Sequence, residues 1–149
     1  MSPELLEETD YGGAVDWWAL GCVMYEMMAG QLPFYSRDQT TLFTLIMKES
    51  LRFPRSLSSS AQSLLGGLLT KDPKARLGAG QGDAMELKEH IFFQVREVKP
   101  EDWRSRVQGI DWTDLEERKI TPPFKPAVSS MLDTKVLHGL ANIHYTFTV

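Results

Sequence analysis

Tyr11-Gly12-Gly13-Ala14-Val15-Asp16-Trp17-Trp18-Ala19-Leu20-Gly21-Cys22-Val23-Met24-Tyr25-Glu26-Met27-Met28-Ala29-Gly30 is a nearly all-apolar run with one aspartate at its start and one glutamate near its end. From about Ala14 to Ala29 the apolar residues surround a helical wheel rather than forming one stripe, which is the pattern of a helix buried on all sides. Such a helix requires neighbours on every face. Gly30 can close it in the left-handed conformation, and Pro33 prevents its resumption. The longest apolar stretch, Trp17 to Gly30, is too short and, with Glu26 inside it, too polar for a membrane span. A core helix of a mainly α fold is the reading that remains.

Downstream, Asp38 can cap a second helix in which Leu42, Phe43, Leu45 and Ile46 share a face before Glu49 and Ser50. Leu51-Arg52-Phe53-Pro54 reads as an extended connector, because the residue before proline avoids helical geometry. Ser58 offers the next cap. Leu57, Ala61, Leu64, Leu65, Leu68 and Leu69 then mark a helix predicted to stop at Asp72-Pro73. Gly66-Gly67 weakens that helix by roughly 1 kcal/mol per glycine relative to alanine, and close packing against another backbone would explain the pair. Gly78, Gly80 and Gly82 predict a flexible loop. Asp83 and Glu86 have capping-box spacing for a short helix ending near His90. No strand pattern occurs in residues 1–93, and there are no internal repeats. Beyond Phe93 the chain is charged, then proline-rich from Thr121 to Pro126, without a clear helical period. Residues 94–149 read as a tail.

Composition narrows the class. A chain of 149 residues with 42% hydrophobic, 24% charged and 10% aromatic residues can build a core and is not wholly disordered. A net charge of −4 with both signs interspersed leaves no basic field for nucleic acid. The single cysteine, Cys22, cannot form an internal disulfide and reads as a small buried hydrophobe, which suits a reducing, cytoplasmic setting. The first ten residues lack the basic start and apolar centre of a signal peptide.

Several blocks, taken in order, carry a resemblance. Ser2-Pro3-Glu4 precedes the apolar run and Leu32-Pro33-Phe34 follows it. Then come Arg52-Phe53-Pro54-Arg55, Leu64-Leu65 and Leu68-Leu69 before Lys71-Asp72-Pro73, and His90-Ile91-Phe92-Phe93. Ile110-Asp111-Trp112 and Pro122-Pro123-Phe124-Lys125-Pro126 complete the series. The sequence resembles AGC-type serine/threonine protein kinases, the protein kinase B group above all, over residues 2–93 and again from about 109 to 135. The resemblance implies that 1–93 form the lower part of a kinase large lobe. Residues 94–149 would be the kinase tail, with an insertion at 95–108 and a divergent end at 136–149. It further implies ATP and magnesium as cosubstrate for a full-length parent, and phosphoryl transfer to serine or threonine in basic protein or peptide substrates.

The same resemblance assigns roles to four residues. The aspartate matching Asp16 accepts hydrogen bonds from the catalytic-loop backbone and holds that loop in place; on its residues alone, Asp16 could equally be a helix-capping aspartate. The residues matching Glu4 and Arg76 form a buried carboxylate–guanidinium pair that ties the activation segment to the lobe, whereas two solvated charges are the commoner fate of any Glu and Arg. The glutamate matching Glu26 faces the basic side chains of a peptide substrate. A solvated helix-end charge is the plain alternative, since burial without a partner is costly.

Phosphoryl transfer also needs a glycine-rich loop, a small-lobe lysine, a catalytic aspartate and asparagine, and a metal-binding aspartate. The 149 residues contain no His-Arg-Asp, no Asp-Phe-Gly and no Gly-x-Gly-x-x-Gly followed by a lysine strand. Gly78-Ala79-Gly80-Gln81-Gly82 fails as a phosphate cradle because no Lys-Ser/Thr follows it and no strand precedes it. The chain is therefore expected to hold no catalytic residue, to bind no cofactor and to be inactive alone. It is also expected to expose an apolar patch and to depend on a partner or a small lobe for solubility. The other function class is a non-catalytic decoy that binds kinase substrates or partners through Glu26 and the helix at Asp38 to Ser50. His90, His138 and His144 lack companions for a zinc site. Pro123-Phe124-Lys125-Pro126 and the ending Phe147-Thr148-Val149 fit weak peptide-ligand patterns.

Overall fold

A computed structural model describes residues 1–94, 109–122 and 124–125. The predicted insertion 95–108 and the divergent end 136–149 lie outside the described residues, as do His138 and His144. The chain divides into two compact units, 1–110 and 111–149. The described residues are helical and contain no strand.

In the first unit, Pro3 begins the single-turn helix α1 (Pro3–Leu6), where a missing N–H costs nothing. Helix α2 (Ala14–Ala29) occupies the span predicted from the apolar run, and Gly30 closes it at φ 71°. Helix α3 (Gln39–Lys48) starts at Asp38, whose carboxylate accepts the Thr41 N–H at 2.7 Å. Tyr25 Oη donates to the Arg52 carbonyl at 2.6 Å, which fastens the connector after α3 to α2. Helix α4 (Ser59–Leu68) begins at the Ser58 cap, with the Ala61 N–H on Ser58 Oγ at 3.2 Å.

The end of α4 departs from the sequence expectation. It stops at Leu68, ahead of Asp72-Pro73, because its free carbonyls find other donors. Thr70 Oγ1 takes Gly66 O at 2.9 Å and the Leu77 N–H takes Gly67 O at 3.0 Å. The two glycines also differ. A Cβ on Gly67 would lie 3.1 Å from Leu77 Cβ, whereas one on Gly66 would make only an ordinary 3.9 Å contact with Phe53. Close packing accounts for Gly67 and not for Gly66, and the crowding neighbour is a side chain rather than a backbone.

Helix α5 (Ala84–Lys88) forms without the predicted capping box. Asp83 adopts φ 45°, and its carboxylate accepts the Trp17 indole N–H at 3.1 Å. Glu86 accepts the Gly78 N–H at 3.0 Å. Both side chains were available to the helix start, and tertiary donors took them. Gly78 itself is buried at φ 87°, where a Cβ would lie 2.8 Å from both Trp17 and Leu87. The loop expected to be flexible is thus anchored at that end.

Helix α2 packs on α4, and Gly21 sets the approach: a Cβ there would meet Leu68 Cβ at 2.9 Å and Leu69 at 3.0 Å. Trp18, Tyr25, Phe34, Ile46, Leu65 and Leu69 form one core cluster, with Cys22 packed against it. Leu64, Leu68 and Leu87 form a second, covered by Trp17, Leu77, Phe92 and Phe93. Neighbours do not reach every face of α2. Asp16, Ala19, Val23 and Met27 lie three and four residues apart and are all exposed, Met27 by 79%.

In the second unit, α6 (Trp112–Glu116) is capped by Asp111, which accepts the Asp114 N–H at 3.0 Å. Neither α1 nor α6 was evident in the periodicity, which a helix of one turn is too short to display.

Candidate functional site

Arg76 is the centre of a buried polar cluster. Its side chain is fully buried, reached by a turn in which Asp72 Oδ1 accepts the Lys74 N–H at 2.9 Å. A guanidinium has five N–H donors, and each of Arg76's finds an acceptor. Nη1 donates to Glu4 Oε1 at 2.6 Å and to the Ala14 carbonyl at 2.7 Å. Nη2 donates to Glu4 Oε2 at 2.9 Å and to Lys71 O at 3.2 Å, and Nε donates to Thr70 O at 3.0 Å. The Trp18 ring lies over the guanidinium carbon at 5.1 Å. One side chain thereby joins α1, the start of α2 and the turn after α4.

Glu4 is 3% exposed. Burial would raise its carboxyl pKa, but the Arg76 hydrogen bonds and charge, together with a backbone N–H, outweigh burial and hold it below the usual glutamate range. The sequence reading placed these residues, 72 positions apart, as a buried pair. The geometry is the bidentate fork that favours arginine over lysine.

Asp16 stands in the first turn of α2, exposed, where a carboxylate complements the helix dipole. The N-cap is Gly13, without a side-chain cap bond. Glu26 lies in the last turn of the same helix, half-buried. The two carboxylates sit at opposite ends of α2, about 15 Å apart along its axis at 1.5 Å per residue, and neither touches the Arg76 cluster. They are separate features.

Lys71 was not singled out in the sequence. Its Nζ donates to Leu45 O at 3.3 Å and to Ile46 O in the last turn of α3, where Leu45 O also accepts the Glu49 N–H. The ammonium also lies 3.8 Å from the centre of the Phe34 ring, which is stacked at 6.0 Å on Trp18. Burial pushes its pKa down to about 8, with Cys22 and Glu49 acting in the opposite sense. Nothing in Lys71-Asp72-Pro73 distinguishes this lysine from a solvated one. Burial raises the Cys22 thiol pKa.

The glycine loop does surround an anion, though the anion is the chain's own. Ideal Cβ atoms on Gly80 and Gly82 would fall 2.2 and 2.9 Å from Glu86 atoms, so the carboxylate fills the space beside the loop. Among the described residues, no three His, Cys, Asp or Glu side chains converge as a metal site. No helix among them is long and apolar enough to cross a membrane.

Residues 1–93 match the family described as Protein kinase domain. Over 135 residues, 91% of this chain, the sequence is 55% identical to RAC-beta serine/threonine-protein kinase A of Xenopus laevis. It is 53% identical over the same length to RAC-beta serine/threonine-protein kinase of Homo sapiens and to that of Mus musculus. The chain spans about a quarter of the length of these curated relatives. The match covers the buried Glu4–Arg76 pair, the α2 helix and the α4 to α5 segment together, and on that basis the chain belongs to the protein kinase family, as an AGC-type member similar to the RAC-beta serine/threonine kinases.

Proposed function

We propose that this chain is the lower large-lobe part of an ATP-dependent, cytoplasmic serine/threonine kinase, and that it supplies support and substrate contacts rather than chemistry. The observation that carries the reading is the Arg76 cluster, which fastens the first residues of the chain to the head of α2 and so fixes where Asp16 presents its carboxylate. Asp16 then acts as a positioning residue, accepting backbone N–H groups of a catalytic loop contributed by the rest of the kinase. Glu26, at the other end of α2, faces basic side chains of a protein substrate.

Nucleotide and magnesium do not fit the residues present. The sequence has none of the phosphate-binding or metal-binding motifs, and the one glycine loop is filled by Glu86. Their chemistry, neutralising and orienting the transferred phosphoryl group, belongs to the remainder of the parent. The decoy reading rests on Glu26 and α3 alone, and the family match over 1–93 does not favour it.

The test has two arms. The purified 149-residue chain, given magnesium, ATP and an arginine-containing peptide, is expected to transfer no phosphate. A RAC-beta kinase carrying residues 1–93 in place of its matching segment is expected to be active. In that chimera Glu26→Gln should raise KM for arginine-containing peptides with kcat little changed, and Asp16→Asn should lower kcat. A folded but inactive chimera, or unchanged peptide preference in Glu26→Gln, would overturn the reading.

A further inference from the structure

We propose that His90 is a proton-operated clasp that closes the turn 90–92 beside helix α4 only while its imidazole is neutral. The ring nitrogens define its state. Nδ1 lies 3.1 Å from the Phe92 backbone nitrogen, whose N–H can only donate, so Nδ1 accepts and carries no proton. The neutral ring therefore has its hydrogen on Nε2, which lies 3.2 Å from Ser63 Oγ on α4 and donates to it. That tautomer also excludes a Ser63–His90 nucleophile pair, because the nitrogen facing the hydroxyl is already protonated.

Protonation places a second N–H on Nδ1, pointed at the Phe92 N–H. Two donors then face each other and the contact is lost. Charged groups near the ring do not supply the effect. Helix α4 (59–68) contains no titratable residue, and the turn 91–94 contains none. On the side of α5, Glu86 is committed to the Gly78 N–H, while Lys88 and Glu89 are the charged residues next to the ring in sequence. Burial lowers the His90 pKa, in keeping with a site built for the neutral form. The turn carries a further contact, since the Ile110 N–H donates to Phe93 O at 3.1 Å. Opening of the turn thus loosens the backbone next to the carbonyl that holds residue 110.

The experiment is backbone hydrogen exchange on the full 149-residue chain from pH 8 to pH 5, corrected for intrinsic rates, with long-range imidazole nitrogen spectra of His90. Protection of the Phe92 amide is expected to fall about three- to tenfold, the equilibrium equivalent of one hydrogen bond. Its midpoint should lie below the ordinary histidine value of about 6.5, and the spectra should show hydrogen on Nε2 at pH 8. His90→Asn retains a side-chain acceptor two residues before Phe92 and should keep protection independent of pH. Hydrogen on Nδ1 at pH 8, a Phe92 amide indifferent to pH in the wild-type chain, or an equal pH response in His90→Asn would overturn the proposal.

Discussion

Arg76 shows what a single residue must satisfy when charge is buried. All five of its N–H groups are bonded, two of them to Glu4, and neither partner has solvent to fall back on. Removing one member leaves the other charged and unpaired, which costs about 3–5 kcal/mol. Arg76→Ala is expected to lower the unfolding free energy by that much, read from the shift of the denaturant midpoint at constant m. Arg76→Lys should recover little, because an ammonium has three donors for five acceptors; recovery of most of the loss by lysine would show that charge alone matters. The pair also sets an acid limit. Glu4 has a depressed folded pKa, so its contribution is complete above the ordinary carboxylate value of about 4.3 and is lost as pH falls through the lower folded value.

Lys71 has the same linkage sign in an alkaline window. Its folded pKa of about 8 lies below the ordinary lysine value of about 10.4, so the folded chain loses the proton first as pH rises. Between those values the unfolded state binds more protons, and stability rises with pH. Urea midpoints at pH 7.5 and 10 should show this gain in the wild-type chain and not in Lys71→Met. An identical alkaline response in both would remove Lys71 as its source.

At the scale of elements, local chemistry was legible and tertiary competition was not. Asp38, Ser58 and Gly30 did what their residue types dictate, because caps act on the nearest backbone groups. Asp83 and Glu86 had equally good local credentials and were captured by Trp17 and Gly78, from loop and helix positions that a linear reading does not bring near. The Glu4–Arg76 pair was accessible only through family resemblance, since no periodicity links residues 72 apart. Gly21 was missed because nothing marks a helix glycine as a crossing point until the second helix is in place. These contrasts separate three glycines. Gly66→Ala is expected to stabilise α4 by about 0.5–1 kcal/mol, as the added methyl meets only ordinary contact. Gly21→Ala forces Leu68 and Leu69 apart and should destabilise by about 1–3 kcal/mol, with Gly67→Ala between the two. Thermal melts of the three variants decide it, and a stabilising Gly21→Ala would refute the close approach of α2 and α4.

At the scale of the molecule, the central helix is only partly central. Trp18, Gly21 and Tyr25 are enclosed, while Ala19, Val23 and Met27 form a stripe open to solvent along the same helix, with Val23 48% and Met27 79% exposed. A mean all-round apolarity is therefore matched by burial on one side only. Contiguous apolar surface of this kind drives association when nothing covers it. The isolated chain is expected to bind a hydrophobic dye and to sediment as concentration-dependent oligomers. Val23→Lys with Met27→Glu places charges on exposed positions that contribute no core contact, so dye binding and association should fall while the melting temperature changes little. If the double variant instead melts earlier and associates as before, the open face of α2 is not what brings copies together, and the remaining exposed side chains at Leu32 and Tyr35 become the next to test.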